Sequence, residues 1–254
     1  MRFYVLLIFG LLSSCCFAQD LPPIPPMPQY PGKLPAGVNP LTFPNASFGW
    51  FDRVKQNIAD TKKDAATCEL VFDGDSITDG WHGGGHAVWQ QHYAKFNALD
   101  FGILGDRTQH VLWRLLQGQA AGMHPKLIAL MIGTNNVNRN TDDEVVAGIR
   151  AVVDAYQKCC PDAVILLQAI LPRGEKPDDV YRGKIKDVDA QISKFDDGKK
   201  VIFVDFGDKF LQPDGTISRD ILFDFTHPTA KGYEIWADAI QPFIDKYVGG
   251  NPPQ

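Results

Sequence analysis

An α/β protein is predicted: a three-layer α/β/α sandwich around a five-stranded parallel sheet in the flavodoxin-like order 2-1-3-4-5. Apolar runs of strand length stand at 69–72, 99–103, 127–132, 164–170 and 201–204. Several are apolar throughout, as strands covered on both faces should be. Segments long enough for helices separate them, which is what connections between parallel strands require.

The first 18 residues read as an address rather than as fold. Arg2 precedes an apolar run over 3–12 and then small residues and cysteines, the order of a signal peptide. Two processing sites are readable. Cys16-Phe17-Ala18 would free the chain at Gln19, and Leu12-Ser13-Ser14-Cys15 has the form of a lipobox that would lipidate Cys15. Export, to the periplasm or the medium, is therefore expected, with a membrane contact only through such an N-terminal lipid. Prolines recur through 19–45, so that stretch reads as an extended tether. Asn45-Ala46-Ser47 is formally a glycosylation sequon. The folded domain is placed at 46–248 and a loose tail at 249–254.

Within the domain, Val145, Ile149, Val152 and Tyr156 fall at helical spacing, with Thr141 and Glu144 placed as a capping box. Tyr233, Trp236, Ile240 and Ile244 repeat that spacing near the end. Hydrophobic residues make up 44% and charged residues 22%, the balance of an ordinary globular domain. Net charge is -5 with no basic run, so a phosphate backbone would be repelled and nucleic acid is excluded as a partner. Beyond Cys15 and Cys16, three cysteines remain. One disulfide plus one buried thiol is the expectation, with Cys68 joined to Cys159 or Cys160 as the non-vicinal choices. None has metal-ligand spacing.

Open parallel sheets bind ligands at the carboxyl ends of their strands, so the turns after the apolar runs matter most. They read Asp73-Gly74-Asp75-Ser76-Ile77-Thr78, then Gly105-Asp106, then Gly133-Thr134-Asn135-Asn136; before the final helix comes Asp224-Phe225-Thr226-His227-Pro228. Together they supply a hydroxyl, an imidazole, a carboxylate, an amide and flexible backbone, the parts needed for acyl transfer. Ser76 is a weak nucleophile without a base, and His227 is the histidine these turns offer. Asp224, three residues earlier, can hold the other imidazole nitrogen. The backbone N–H groups of Ser76 and Gly105 and the Asn135 amide could hold an oxyanion. Glycine at 105 would let the backbone approach substrate, and Ser76 would begin a helix whose dipole favours negative charge.

These four blocks resemble those of the SGNH (GDSL-type) hydrolases. The run from Phe101-Gly102-Ile103-Leu104-Gly105-Asp106 through Arg107-Thr108-Gln109-His110-Val111-Leu112-Trp113-Arg114-Leu115 is especially similar to the platelet-activating-factor acetylhydrolase catalytic subunits of that family. The resemblance spans roughly 68–247. It implies Ser76 as nucleophile, Gly105 and Asn135 as oxyanion donors, and Asp224 and His227 as the remaining triad members. It favours a short acyl group, acetyl above all, and implies pairing of two chains. One position departs: the third block commonly ends in Asp, and here it is Asn136.

Around this core, Asp75, Trp81 and Leu104 are the expected substrate-binding residues, Trp81 as a wall of an acyl or sugar pocket. His82-Gly83-Gly84-Gly85-His86 reads as a flexible loop near Ser76 rather than a metal pair, since three glycines leave its spacing unfixed. His92, His110 and His124 read as structural or exposed. No nucleotide-binding glycine motif occurs, so neither a metal nor an organic cofactor is expected. With export, an acetylated carbohydrate is the preferred substrate and an acetyl- or lysophospholipid the alternative. A non-catalytic binding module would be marked by a lost triad residue, and none is lost. A structural envelope protein is suggested by the tether and lipobox alone.

Overall fold

The computed structural model describes residues 50–249. The signal peptide, the Cys15 lipobox, the Pro-rich tether, the sequon and residues 250–254 of the tail lie outside the described residues.

Five parallel strands form one sheet: β1 (Leu70–Gly74), β2 (Leu99–Asp100), β3 (Leu127–Met131), β4 (Val164–Gln168) and β5 (Val201–Val204), in the order β2-β1-β3-β4-β5. Among the described residues seven α-helices accompany them: α1 (Trp50–Asp64), α2 (Ser76–Asp79), α3 (His86–His92), α4 (Thr108–Leu116), α5 (Asp142–Cys159), α6 (Val180–Ile192) and α7 (Ala230–Tyr247). None of the described helices is long and apolar enough to cross a membrane.

Side chains of a strand alternate between faces, and both faces here are covered. Val71, Ile128, Leu130, Ile165 and Leu167 pack against α4, α5 and α6. Leu70, Phe72, Ala129, Met131 and Leu166 pack against α3 and α7. This division explains why the central strands read as unbroken apolar runs. Trp50 and Val54 of α1 close a smaller cluster on Ile103.

The capping box at the start of α5 is present. Glu144 N–H donates to Thr141 Oγ1 at 3.3 Å, and Thr141 N–H donates to Glu144 Oε2 at 3.0 Å. Tyr233, Trp236, Ile240 and Ile244 form the buried stripe of α7. β1 runs two residues further than its apolar run predicts, because Asp73 is buried with ionic partners. β2 stops sooner: Asp100 Oδ1 accepts the Gly102 N–H at 2.8 Å and bends the chain away. Phe101 still donates to the Phe72 carbonyl at 2.8 Å, so the sheet's edge fades rather than ends.

The expected disulfide is corrected. Cys68, Cys159 and Cys160 are free thiols, directed at the carbonyls of Leu70, Ala155 and Ala120 respectively.

Past the ends of β4 and β5 lies a cavity of about 550 Å³, lined among others by Ile170, Arg182, Phe203 and Asp205, with Asp189 of α6 at its wall. Asp189 accepts the Ile170 N–H at 3.0 Å. Burial, with nearby Asp205 adding to it, pushes its carboxyl up to about 8. The folded chain thus holds a proton there that the unfolded chain releases near pH 3.9. Stability from this group is full below about pH 4, falls as pH rises, and is gone above about pH 8. Asp189→Asn keeps the acceptor and removes the titration. Its Tm is expected to fall less than wild type between pH 5 and 8; an equal slope in both proteins would refute the assignment.

Candidate active site

Ser76 is the first residue of α2. Asp75 caps that turn, its Oδ1 accepting the Ile77 N–H at 3.0 Å. The helix has four residues, so the dipole expected behind Ser76 is small and the exposed N–H groups carry the local polarity. Tyr233 of α7 anchors the turn from below by donating to the Ile77 carbonyl at 2.7 Å.

Asp224 and His227 arrive together on one loop. A bridge between Leu222 and Pro228 closes it, and Phe223 N–H donates to the His227 carbonyl at 3.0 Å. Phe225, at its tip, has φ +64°, a left-handed conformation that a bulky residue adopts at a cost of about 1–3 kcal/mol. Asp224 Oδ1 accepts the backbone N–H groups of His227 at 2.8 Å and Thr226 at 3.1 Å. Its Oδ2 faces His227 Nδ1 at 2.8 Å. Burial pushes the Asp224 carboxyl up, but the His227 and Thr226 hydrogen bonds outweigh it and hold the group below the ordinary carboxylate range. The Phe223 ring stacks on the imidazole, centroids 5.8 Å apart.

The two pieces meet at one contact: Ser76 Oγ lies 2.9 Å from His227 Nε2. An imidazole whose Nδ1 proton is donated to Asp224 has its free lone pair on Nε2, facing the hydroxyl.

Beside them stand the expected oxyanion donors. Neither the Ser76 nor the Gly105 backbone N–H donates to another group of the described residues. Asn135 spends one amide hydrogen on the Asp106 carbonyl at 2.9 Å, which leaves the second. Gly105 has φ +79° and open space where a Cβ would stand. Its glycine is therefore required by the left-handed backbone, not by crowding within the protein. Gly105→Ala is expected to cost about 1–2 kcal/mol in that conformation and to turn the peptide. The result should be about a 10- to 100-fold drop in kcat with KM little changed, measured on a p-nitrophenyl ester. Wild-type kcat in this variant would show that the Gly105 N–H is not used.

Asn136, the departing position, is fully buried. Its Oδ1 accepts the Thr108 N–H at 3.0 Å and its Nδ2 donates to Asn140 at 3.2 Å, so it fastens the Asn135 turn to the start of α4.

Two expected substrate contacts are corrected. Trp81 is 1% exposed and packs among Phe72, Trp89, Tyr93, Tyr233 and Trp236, so its ring is core. Asp75 is likewise buried, its carboxyl pushed up to about 7 by that burial; it shapes the Ser76 turn and presents nothing to solvent. Leu104 is 69% exposed beside Gly105 and is open to a ligand. Within the glycine-rich loop, a Cβ on Gly85 would stand 2.7 Å from Trp81 and 2.8 Å from Tyr233, so glycine there permits close packing, whereas Gly83 and Gly84 are exposed and uncrowded. His82 and His86 are exposed, and no group of three metal-ligating side chains occurs among the described residues. Sequence reading missed the ion cluster beneath the site, Asp73, Asp106 and Arg114. Its signal is the charge of Arg114 among Val111, Leu112 and Leu115.

A Ser–His–Asp chain with spare N–H donors, at the carboxyl edge of a doubly wound sheet, defines a hydrolase of the acyl-serine kind. Residues 72–235 match the GDSL-like lipase/acylhydrolase family, and the chain belongs to that family of esterases and acylhydrolases. It is similar to the platelet-activating factor acetylhydrolase IB subunit alpha1 of Rattus norvegicus, 35% identical over 185 residues, covering 72% of this chain and 77% of the relative. The alpha2 subunit of Homo sapiens is 33% identical over 201 residues, covering 77% and 86%. Among solved structures, a GDSL-like lipase from Bacteroides thetaiotaomicron shares the fold with TM-score 0.59 at 21% identity, covering 76% of this chain and 98% of that one. An acetylxylan esterase from Geobacillus stearothermophilus, solved as a catalytic mutant, does so with TM-score 0.53 at 22% identity, covering 72% and 94%.

Proposed function

We propose that the chain is an exported serine esterase that removes short acyl groups, acetyl foremost, from an acetylated carbohydrate. The observation that carries the chemistry is the continuous hydrogen-bond chain from Ser76 through His227 to Asp224. His227 Nε2 takes the Ser76 proton as Oγ attacks the ester carbonyl, and Asp224 steadies the imidazolium that results. The tetrahedral oxyanion is held by the Ser76 and Gly105 N–H groups and the second Asn135 amide hydrogen. Collapse of that intermediate releases the alcohol, which takes its proton from His227. Water, deprotonated by the same histidine, then frees the acyl group, and every proton transfer is made by the chain's own groups.

Relatives named as acetylhydrolases and a fold neighbour named as an acetylxylan esterase support acetyl as the acyl group. Those same relatives favour the alternative substrate, an acetyl- or lysophospholipid, and the exposed side chains of Leu104 and Phe223 would suit it. Export is supported by the charged, apolar, small-residue order of the first 18 residues.

The deciding measurement is a series of p-nitrophenyl esters from acetate to long-chain, followed by acetate release from acetylated xylan and from an acetylated phospholipid. Turnover that falls with chain length, with acetate released from the polysaccharide, supports the reading. Preference for long acyl chains would remove acetyl, and release from phospholipid alone would replace the carbohydrate.

A further inference from the structure

Beneath the Ser76 turn lies a buried charge cluster that takes no part in the proton transfers. Arg114 of α4 is fully buried, as are Asp73 at the end of β1 and Asp106 after Gly105. Arg114 Nε donates to Asp106 Oδ2 at 2.8 Å, and its Nη2 lies 2.7 Å from the same oxygen. Nη2 also donates to Asp73 Oδ1 at 2.9 Å and to the Gly74 carbonyl at 3.3 Å. Each carboxylate is then held from outside. Trp50 of α1 donates its indole N–H to Asp106 Oδ1 at 2.5 Å, and Tyr156 of α5 donates its hydroxyl to Asp73.

The partners of this guanidinium are neighbours of the oxyanion donors. Gly74 stands two residues before Ser76, and Asp106 one residue after Gly105. The Asp106 carbonyl is also the group that orients the Asn135 amide. A planar fork of donors fixes both directions and distances, which a flexible ammonium cannot do. As a stabiliser of the fold the cluster is a poor choice, because desolvating two carboxylates and a guanidinium offsets most of their attraction.

We infer that Arg114 is a positioning residue for the reaction: by clamping Asp73–Gly74 to Asp106 it sets the spacing of the Ser76, Gly105 and Asn135 donors around the oxyanion. Trp50 and Tyr156 are the outer braces of the same clamp. The inference rests on the oxyanion role proposed for those three donors.

The test compares wild type with Arg114→Lys, Trp50→Phe and Tyr156→Phe, each checked for fold by circular dichroism. Active sites are titrated to completion with a fluorophosphonate, and kcat per titrated site and KM are read on p-nitrophenyl acetate. Arg114→Lys is expected to lose about 10- to 100-fold in kcat per site with KM within about threefold, as small misplacements of reacting groups do. The two braces should lose about 3- to 10-fold in kcat in the same sense. A purely structural role would lower Tm or the titratable fraction but leave kcat per site within twofold, and that result overturns the inference. Where Arg114→Lys does not fold, unchanged kcat per site in both brace variants overturns it. Wild type that takes no label at Ser76 would instead bring down the oxyanion reading itself, and this inference with it.

Discussion

Ser76→Ala is expected to lower kcat on p-nitrophenyl acetate by about 10⁴- to 10⁶-fold while leaving KM nearly unchanged. The hydroxyl 2.9 Å from His227 Nε2 is the atom that must form the acyl bond, and no methyl group can replace it. The loss should not reach the uncatalysed rate, because the oxyanion donors remain and still favour attack by water. His227→Ala should cost a similar factor. Combining the two should add little, since a nucleophile and its base act as one unit. That lack of additivity is the sharper measurement. Independent, multiplying losses would mean that the two side chains do not share a step, and a Ser76→Ala chain within tenfold of wild type would end the acyl-serine reading.

The second large effect concerns stability. Trp81→Ala is expected to destabilise the fold by about 3–5 kcal/mol, the usual range for removing a buried tryptophan. Its ring lies 4.4 Å from that of Tyr233, 5.0 Å from Trp236 and 5.4 Å from Tyr93, centroid to centroid. Loss of it would open a void in the layer between the sheet and α7, and would undercut Tyr233, which anchors the Ser76 turn. Trp81→Phe should cost less: its indole Nε1–H is buried with no partner among the described residues, so the replacement discards that donor along with the lost volume. Urea unfolding reads the difference. A midpoint unchanged in Trp81→Ala, together with a raised KM, would return this residue to the substrate pocket.

The sequence disclosed what is local and withheld what is paired at a distance. Strand positions, the Thr141–Glu144 cap and the α7 stripe each depend on residues a few places apart, and all are legible. So are Ser76, Asn135 and the Asp224–His227 pair, because the chemistry they suit is written in short turns. Helix α1 was not legible, for its buried face runs Trp50, Val54, Asn57, Thr61 and two of those four are polar. Asn57 is buried because its amide reaches the Phe101 carbonyl, 44 residues away, at 3.0 Å. Asp73 and Arg114 are 41 residues apart, and no periodicity links them. Trp81 was misplaced for a related reason. A tryptophan after a candidate nucleophile suits a pocket, although a core is its commoner fate, and the rings around it come from β1, α3 and its C-cap Tyr93, and α7.

The loop from Leu222 to Pro228 carries Asp224 and His227 as a prefabricated pair, its geometry internal and its tip already strained. Ser76 comes from a segment 151 residues earlier in the sequence, so a three-membered machine has a single joint. Such a joint acts as a hinge pin. Withdrawal of the loop by an ångström or two would disarm the chain without melting a strand. Activity lost while the circular dichroism of the sheet persists is the signature such a withdrawal would leave.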